Sequence, residues 1–170
     1  MTPIHEYVSA HGAIIRPHPA TEPAPGGAGL VVVTPSDTWR SLDEHRSDTT
    51  VALLAAPDLA RGEFMPTVIG TVSVIEPAVP AAGLLDAVAA CMEVCDDWRV
   101  RAKSVVDDEM LTLDLLGEYR VDAHQLALSS LVHVHTAPDR TVLFQIHATT
   151  PADRIDVHES GLRAVEVRSQ

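Results

Sequence analysis

Aromatic side chains make up only 4% of this chain, so its core must be packed from Val, Leu, Ile and Ala rather than from stacked rings. Cysteine is nearly absent too. Cys91 and Cys95 lie four apart in a helical pattern, where a disulfide would need distorted geometry, and both read as buried free thiols. Twelve basic residues face 24 acids, giving a formal net charge of −12, and Lys103 is the one lysine. Such a balance supplies no basic patch to neutralise phosphates, which excludes nucleic acid and anionic membrane surfaces as partners. No apolar run approaches the roughly 20 residues that span a bilayer, so membrane insertion is not expected. The segment Met1–Glu6 has neither a basic n-region nor an apolar signal stretch, and a cytoplasmic location is expected.

What is present suffices for a fold. Hydrophobic content of 46% over 170 residues predicts one domain, 1–170, with a core that needs no staples. Thr2-Pro3 opens a short helix with Ile4, Tyr7 and Val8 on one stripe, stopped by Gly12. Arg16–Gly29, with four prolines and three glycines, reads as an extended strap rather than regular structure. Strands follow at 30–34, 51–56 and 67–76, and Gly70 hints at a bulge or a close backbone approach. Residues 40–50 read as a loop or helical turn. The best helix is 80–95, where Leu84, Leu85, Val88, Cys91, Met92 and Cys95 recur on one stripe.

Four further runs (98–105, 111–119, 125–136, 141–149) with short links predict an antiparallel meander. Thr150-Pro151-Ala152-Asp153 reads as the start of a closing helix, 151–166. The expected fold class is therefore α+β, a twisted antiparallel sheet flanked by helices.

Nine histidines are present, and His133, His135 and His147 fall in the last hairpin. A four-residue link at 137–140 pairs Thr136 with Thr141 and leaves both faces mixed. A link one residue shorter or longer puts Val132, Val134, Val142, Phe144 and Ile146 on one face, and His133, His135, Gln145 and His147 on the other. One buried face specifies register, so the second arrangement is expected. Three imidazoles on a rigid face suit zinc with an open fourth position, but no HxxEH or CxxC spacing accompanies them, and a half-solvated sheet is the plainer account. No cofactor is expected. Ser129 and Ser130 lie near His133 and His147, yet no G-x-S-x-G elbow exposes a nucleophile. Gly26-Gly27-Ala28-Gly29 precedes a strand and lacks the strand-to-helix setting of a phosphate loop. Asp96-Asp97 and Asp107-Asp108-Glu109 do not follow EF-hand spacing and read as solvated turns. Trp39, Phe64 and Met65 are the candidates for a partner-binding patch.

Read in order, several features resemble the mycobacterial LpqN/LpqT lipoprotein family. They are His11-Gly12-Ala13-Ile14 after a short helix, the Pro-rich strap, Pro35-Ser36-Asp37-Thr38-Trp39, Phe64-Met65-Pro66-Thr67-Val68-Ile69, and Gly117-Glu118-Tyr119-Arg120-Val121-Asp122 before a final hairpin. The resemblance implies a PsbP/Mog1-like fold, an actinobacterial type of chain, and a binding or adaptor role without a shared catalytic site. It implies a protein partner or an apolar peptide segment, in a chaperone-like or secretion-linked setting. Members carry a signal peptide and a lipidated cysteine; this chain shows neither, so a cytoplasmic relative is expected. The expected function is non-enzymatic binding, with a homodimer through an exposed sheet edge also open. The alternative is a small-molecule or metal-binding protein, or an enzyme, centred on His133, His135 and His147.

Overall fold

A computed structural model describes residues 1–20, 22, 25, 28–32, 37–62, 64–108, 110–154 and 162–169. Helix α1 (Pro3–Ala10) begins at Thr2, whose hydroxyl caps the His5 amide, and stops where Gly12 takes a φ of +67°. Short strands β1 (Ile14–Pro17), β2 (Ala28–Val32) and β3 (Arg40–Ser41) precede β4 (Thr50–Ala55) and β5 (Thr67–Glu76). Helix α2 (Ala81–Met92) leads into the meander β6 (Arg99–Asp107), β7 (Leu111–Val121), β8 (His124–Thr136) and β9 (Thr141–Pro151), and β10 (Val165–Ser169) follows. The main sheet runs β3-β4-β5-β9-β8-β7-β6, with β1 continuing along β5 beyond β4; every pairing is antiparallel. The α+β class and the four-strand meander are as the pattern predicts.

Both faces of the central strands of this sheet are buried, and that decides much else. On one face α1 and α2 pack Val8, Leu84, Leu85 and Val88 against Ile75, Leu113, Leu115, Val132, Val134 and Leu143. On the other, a separate two-stranded ribbon of β2 and β10 lays Leu30 and Val165 over Ala52, Val68, Val72, Phe144 and Ile146. Gly70 belongs to the second contact. A Cβ there would stand 3.1 Å from Ala52 Cβ and 3.3 Å from Leu30 Cδ1, which is the close approach its position suggested. The bulge sits opposite, in β4 between Thr50 and Ala52.

Three sequence expectations fail here. The ends of the strap are regular structure: Arg16 and Pro17 pair with Val74 and Ser73, and Ala28 and Gly29 pair in the ribbon. Edge positions tolerate proline because its missing N–H need not enter the ladder. The helix 151–166 does not begin at Thr150. Pairing of β8 with β9 runs on to Ala127–Thr150 and Leu126–Pro151, a short 3-10 turn follows, and 165–169 are strand; 155–161 lie outside the described residues. Thr150 is a fully buried strand residue whose hydroxyl finds no hydrogen-bond partner among the described residues, not a cap. In Val165-Glu166-Val167 the period is two, and it outweighs the helix signal upstream.

The hairpin register is the third correction. Thr136 pairs with Thr141, and Ala137 N–H donates to Arg140 O at 2.9 Å across the link. The expected register assumed one wet face. With both faces covered, a mixed pattern carries no burial penalty, and the link length sets the pairing instead.

Trp98 lies across the meander on the helix side. A Cβ at Gly117 would be 2.1 Å from the Trp98 ring, so the strand needs glycine for the indole to lie flat. Gly117→Ala should therefore lower stability by about 1–3 kcal/mol through overpacking. Urea unfolding followed by tryptophan emission checks it, with a native-state red shift expected as Trp98 is lifted from the sheet.

Candidate functional site

The register separates the three hairpin histidines. His133 pairs with Phe144 and His135 with Val142 on the ribbon face, while His147 pairs with Ser130 on the helix face. Among the described residues no group of three His, Cys, Asp or Glu side chains converges as a metal site. His147 Nδ1 lies 2.8 Å from Ser130 Oγ, and its Nε2 is 3.4 Å from the Gln145 amide. Burial pushes the ring's pKa down to about 4 and keeps it neutral at pH 7. Ser130 has no exposed surface, so this pair holds the sheet interior together and presents no hydroxyl to a substrate.

Trp39, at 2% exposure, lies in the ribbon-side core with Leu54 and Phe144 and offers no patch. Phe64 and Met65 are half-buried in the loop between β4 and β5, where Arg61 and Phe64 form an isolated bridge. Cys91 and Cys95 are half-buried free thiols, and burial raises the Cys95 pKa.

The site that sequence reasoning missed is a groove on the ribbon face. Among the described residues the β2–β10 ribbon covers β4, β5 and β9 and reaches β8, while the same face of β6 and β7 has only Leu162 beside it. A cavity of about 320 Å³ is floored by Leu131 and His133 and walled by Leu162, Val165 and Val167. A second, of about 300 Å³, adjoins it at Leu162 and runs over Leu116 and Ser129 to Ala102 and Ser104 on β6. At the ribbon the lining combines Leu162, Val165 and Val167 with Arg163 and Glu166, and toward β6 it carries Ser104 and Asp114.

His133 is the polar handle of the apolar half. Its Nδ1 is 2.9 Å from Thr112 Oγ1, and that hydroxyl donates to Met110 O at 3.3 Å. The ring therefore donates from Nδ1 and keeps Nε2 as an acceptor. Burial lowers its pKa, so the imidazole stays neutral. Only the pairing of 165–169 with 28–32 creates this groove, and a closing helix drawn over 151–166 hides it. The alternating Val165-Glu166-Val167 was the signal that could have exposed it. A third cavity, of about 270 Å³ beside β1, brings Arg16 and Arg140 near Glu76, with Arg140 3.6 Å from that carboxylate.

A layered α+β fold with an open groove beside a two-stranded ribbon defines a class of domain rather than a chemistry. The chain shares the fold of LpqN from Mycobacterium tuberculosis, a protein involved in cell envelope biogenesis. The TM-score is 0.79 at 14% identity, covering 98% of this chain and 97% of that one. A protein of unknown function from Pseudomonas aeruginosa, PA94, aligns at TM-score 0.45 and 15% identity over 82% of this chain. No family model matches the chain, and no curated protein does. Among the described residues no helix is long and apolar enough to cross a membrane.

Proposed function

We propose that this chain is a non-enzymatic binding domain whose ribbon-face groove holds an extended apolar segment of a partner protein. The observation that carries the reading is the groove itself: two adjoining cavities, apolar at Leu131, Leu162, Val165 and Val167, open toward the edge of the sheet. A trough of this shape suits a strand-like segment whose alternate side chains fill successive pockets. His133 Nε2 would accept one hydrogen bond from the segment and set its position. Phe64 and Met65 lie outside the groove and line neither of its cavities, so they have no part in this contact.

Selection of a displayed peptide library on the folded protein tests the reading. Apolar, alternating sequences should be enriched, and their NMR shift changes should fall on Leu116, Leu131, His133, Val165 and Val167. Leu131→Gln should weaken such peptides about tenfold while circular dichroism shows the fold retained. Enrichment of peptides without apolar alternation, or shifts confined to other faces, would overturn it.

A further inference from the structure

We propose that the cavity beside β1 is a binding site for a free apolar α-amino acid, held as its zwitterion between Arg16 and Glu76. The cavity, of about 270 Å³, shares no lining residue with the groove, so the two readings stand apart. Strand register builds it. Ile14 pairs with Glu76 and Arg16 with Val74. Directly paired residues share a face, so these four stand together, on the face where Val74 meets Val142 of the ribbon-side core. Thr141 pairs with Ile75, which brings Arg140 level with Glu76. His18, whose amide donates to Val72 O at 2.9 Å, and Pro25 wall the cavity from the strap.

Two charges in this cavity are left open. Arg16 and Glu76 are diagonal neighbours across the strand pair, a spacing of about 7–8 Å at the backbone. They form no ion pair with each other, and Arg16 has no ionic or hydrogen-bond partner among the described residues. The Glu76 carboxylate accepts no hydrogen bond among those residues. Its ionic neighbour is Arg140, 3.6 Å away, and that guanidinium already donates to Asp139 from Nε and a terminal nitrogen.

A guanidinium and a carboxylate held apart in one cavity complement a ligand that carries the opposite charges in the opposite order. In an α-amino acid the carboxylate and the ammonium flank a single carbon. Its carboxylate can accept from Arg16 while its ammonium donates to Glu76, both as charge-assisted hydrogen bonds. A bare anion would meet the Glu76 carboxylate, and a bare cation would meet Arg16. The remaining lining selects the side chain. Ile14, Pro17, Pro25 and Val74 are apolar, and Ile14, at 59% exposure, is one of the large apolar side chains that the fold leaves in solvent. An apolar body held by a few placed polar groups is the usual make-up of a small-molecule site.

Titration of the full chain with L-leucine, followed by NMR, tests this. Amide shifts should saturate with a Kd of about 1 mM or tighter and fall on Ile14, Arg16, Val74, Glu76 and Arg140. Leucinamide, which lacks the carboxylate, and N-acetyl-leucine, which lacks the ammonium, should each bind about tenfold more weakly. Arg16→Gln and Glu76→Gln should each weaken leucine about tenfold. The losses should be matched to the charge removed: Arg16→Gln should bind leucine no better than leucinamide, and Glu76→Gln no better than N-acetyl-leucine. Both positions are exposed, so circular dichroism should show both variants folded. No saturable shift with leucine, isoleucine, valine or methionine would overturn the proposal. So would shifts confined to other faces, blocked analogues that bind as leucine does, or variants that bind leucine as the wild type does.

Discussion

Phe144→Ala is expected to lower stability by about 3–5 kcal/mol, the range for emptying an aromatic site in a sealed core. Phe144 has no exposed surface and sits on β9 among Trp39, Val68, Val72 and Ile146, under the ribbon that carries Leu30 and Val165. A domain stable by roughly 5–15 kcal/mol would lose a large share of its margin. Equilibrium urea unfolding followed by circular dichroism measures the loss, and Ile69→Ala, at a 39% exposed position on the same sheet, is the control. A loss for Phe144→Ala below about 1 kcal/mol would mean that the ribbon does not seal this face.

Acid should remove nearly as much. In the unfolded chain the His147 imidazole takes up a proton near pH 6.5. In the fold, burial beside Ser130 holds it off until about pH 4. Between those values the unfolded state binds a proton that the native state refuses, so stability falls as pH falls. The contribution is whole above pH 6.5 and is lost progressively toward pH 4, amounting to about 3 kcal/mol. Glu118, held below the usual carboxylate range by its hydrogen bonds from Arg101, loses its contribution only further into acid, which separates the two effects. Urea midpoints at pH 7 and pH 4.5 should therefore differ less in His147→Asn than in the wild type. Equal differences in both proteins would show that the imidazole is freely protonated in the fold.

The second half of the chain was readable because its strands are long and bounded by turn residues. β5 and the start of β9 fall where the pattern placed them, and β6 to β8 fall within a few residues. The hairpin register was not readable, since mixed faces look wrong until a second layer covers them. That layer is built from residues 28–32 and 165–169, which are far apart in sequence and have only five residues each with which to show a period. Neither segment announces that the other is its partner. The helix start at Thr150-Pro151 failed for a related reason: local capping chemistry lost to a ladder with Leu126 and Ala127 that continues past it. The groove followed the ribbon into obscurity, because its floor is ordinary strand sequence and its wall exists only once the ribbon has docked. His133 was singled out for its neighbours in sequence, whereas its setting in space is Thr112 and a cavity.

The β2–β10 ribbon has a further consequence for the order in which the chain can assemble. During synthesis β2 leaves the ribosome long before β10 and must wait, unmatched, through well over a hundred residues of translation. The sheet can zip up in the meantime, since each of its later strands has its neighbour close behind. Until β10 emerges, Phe144 and Ile146 face water, and the nascent protein carries an open greasy flank that the completed ribbon then closes.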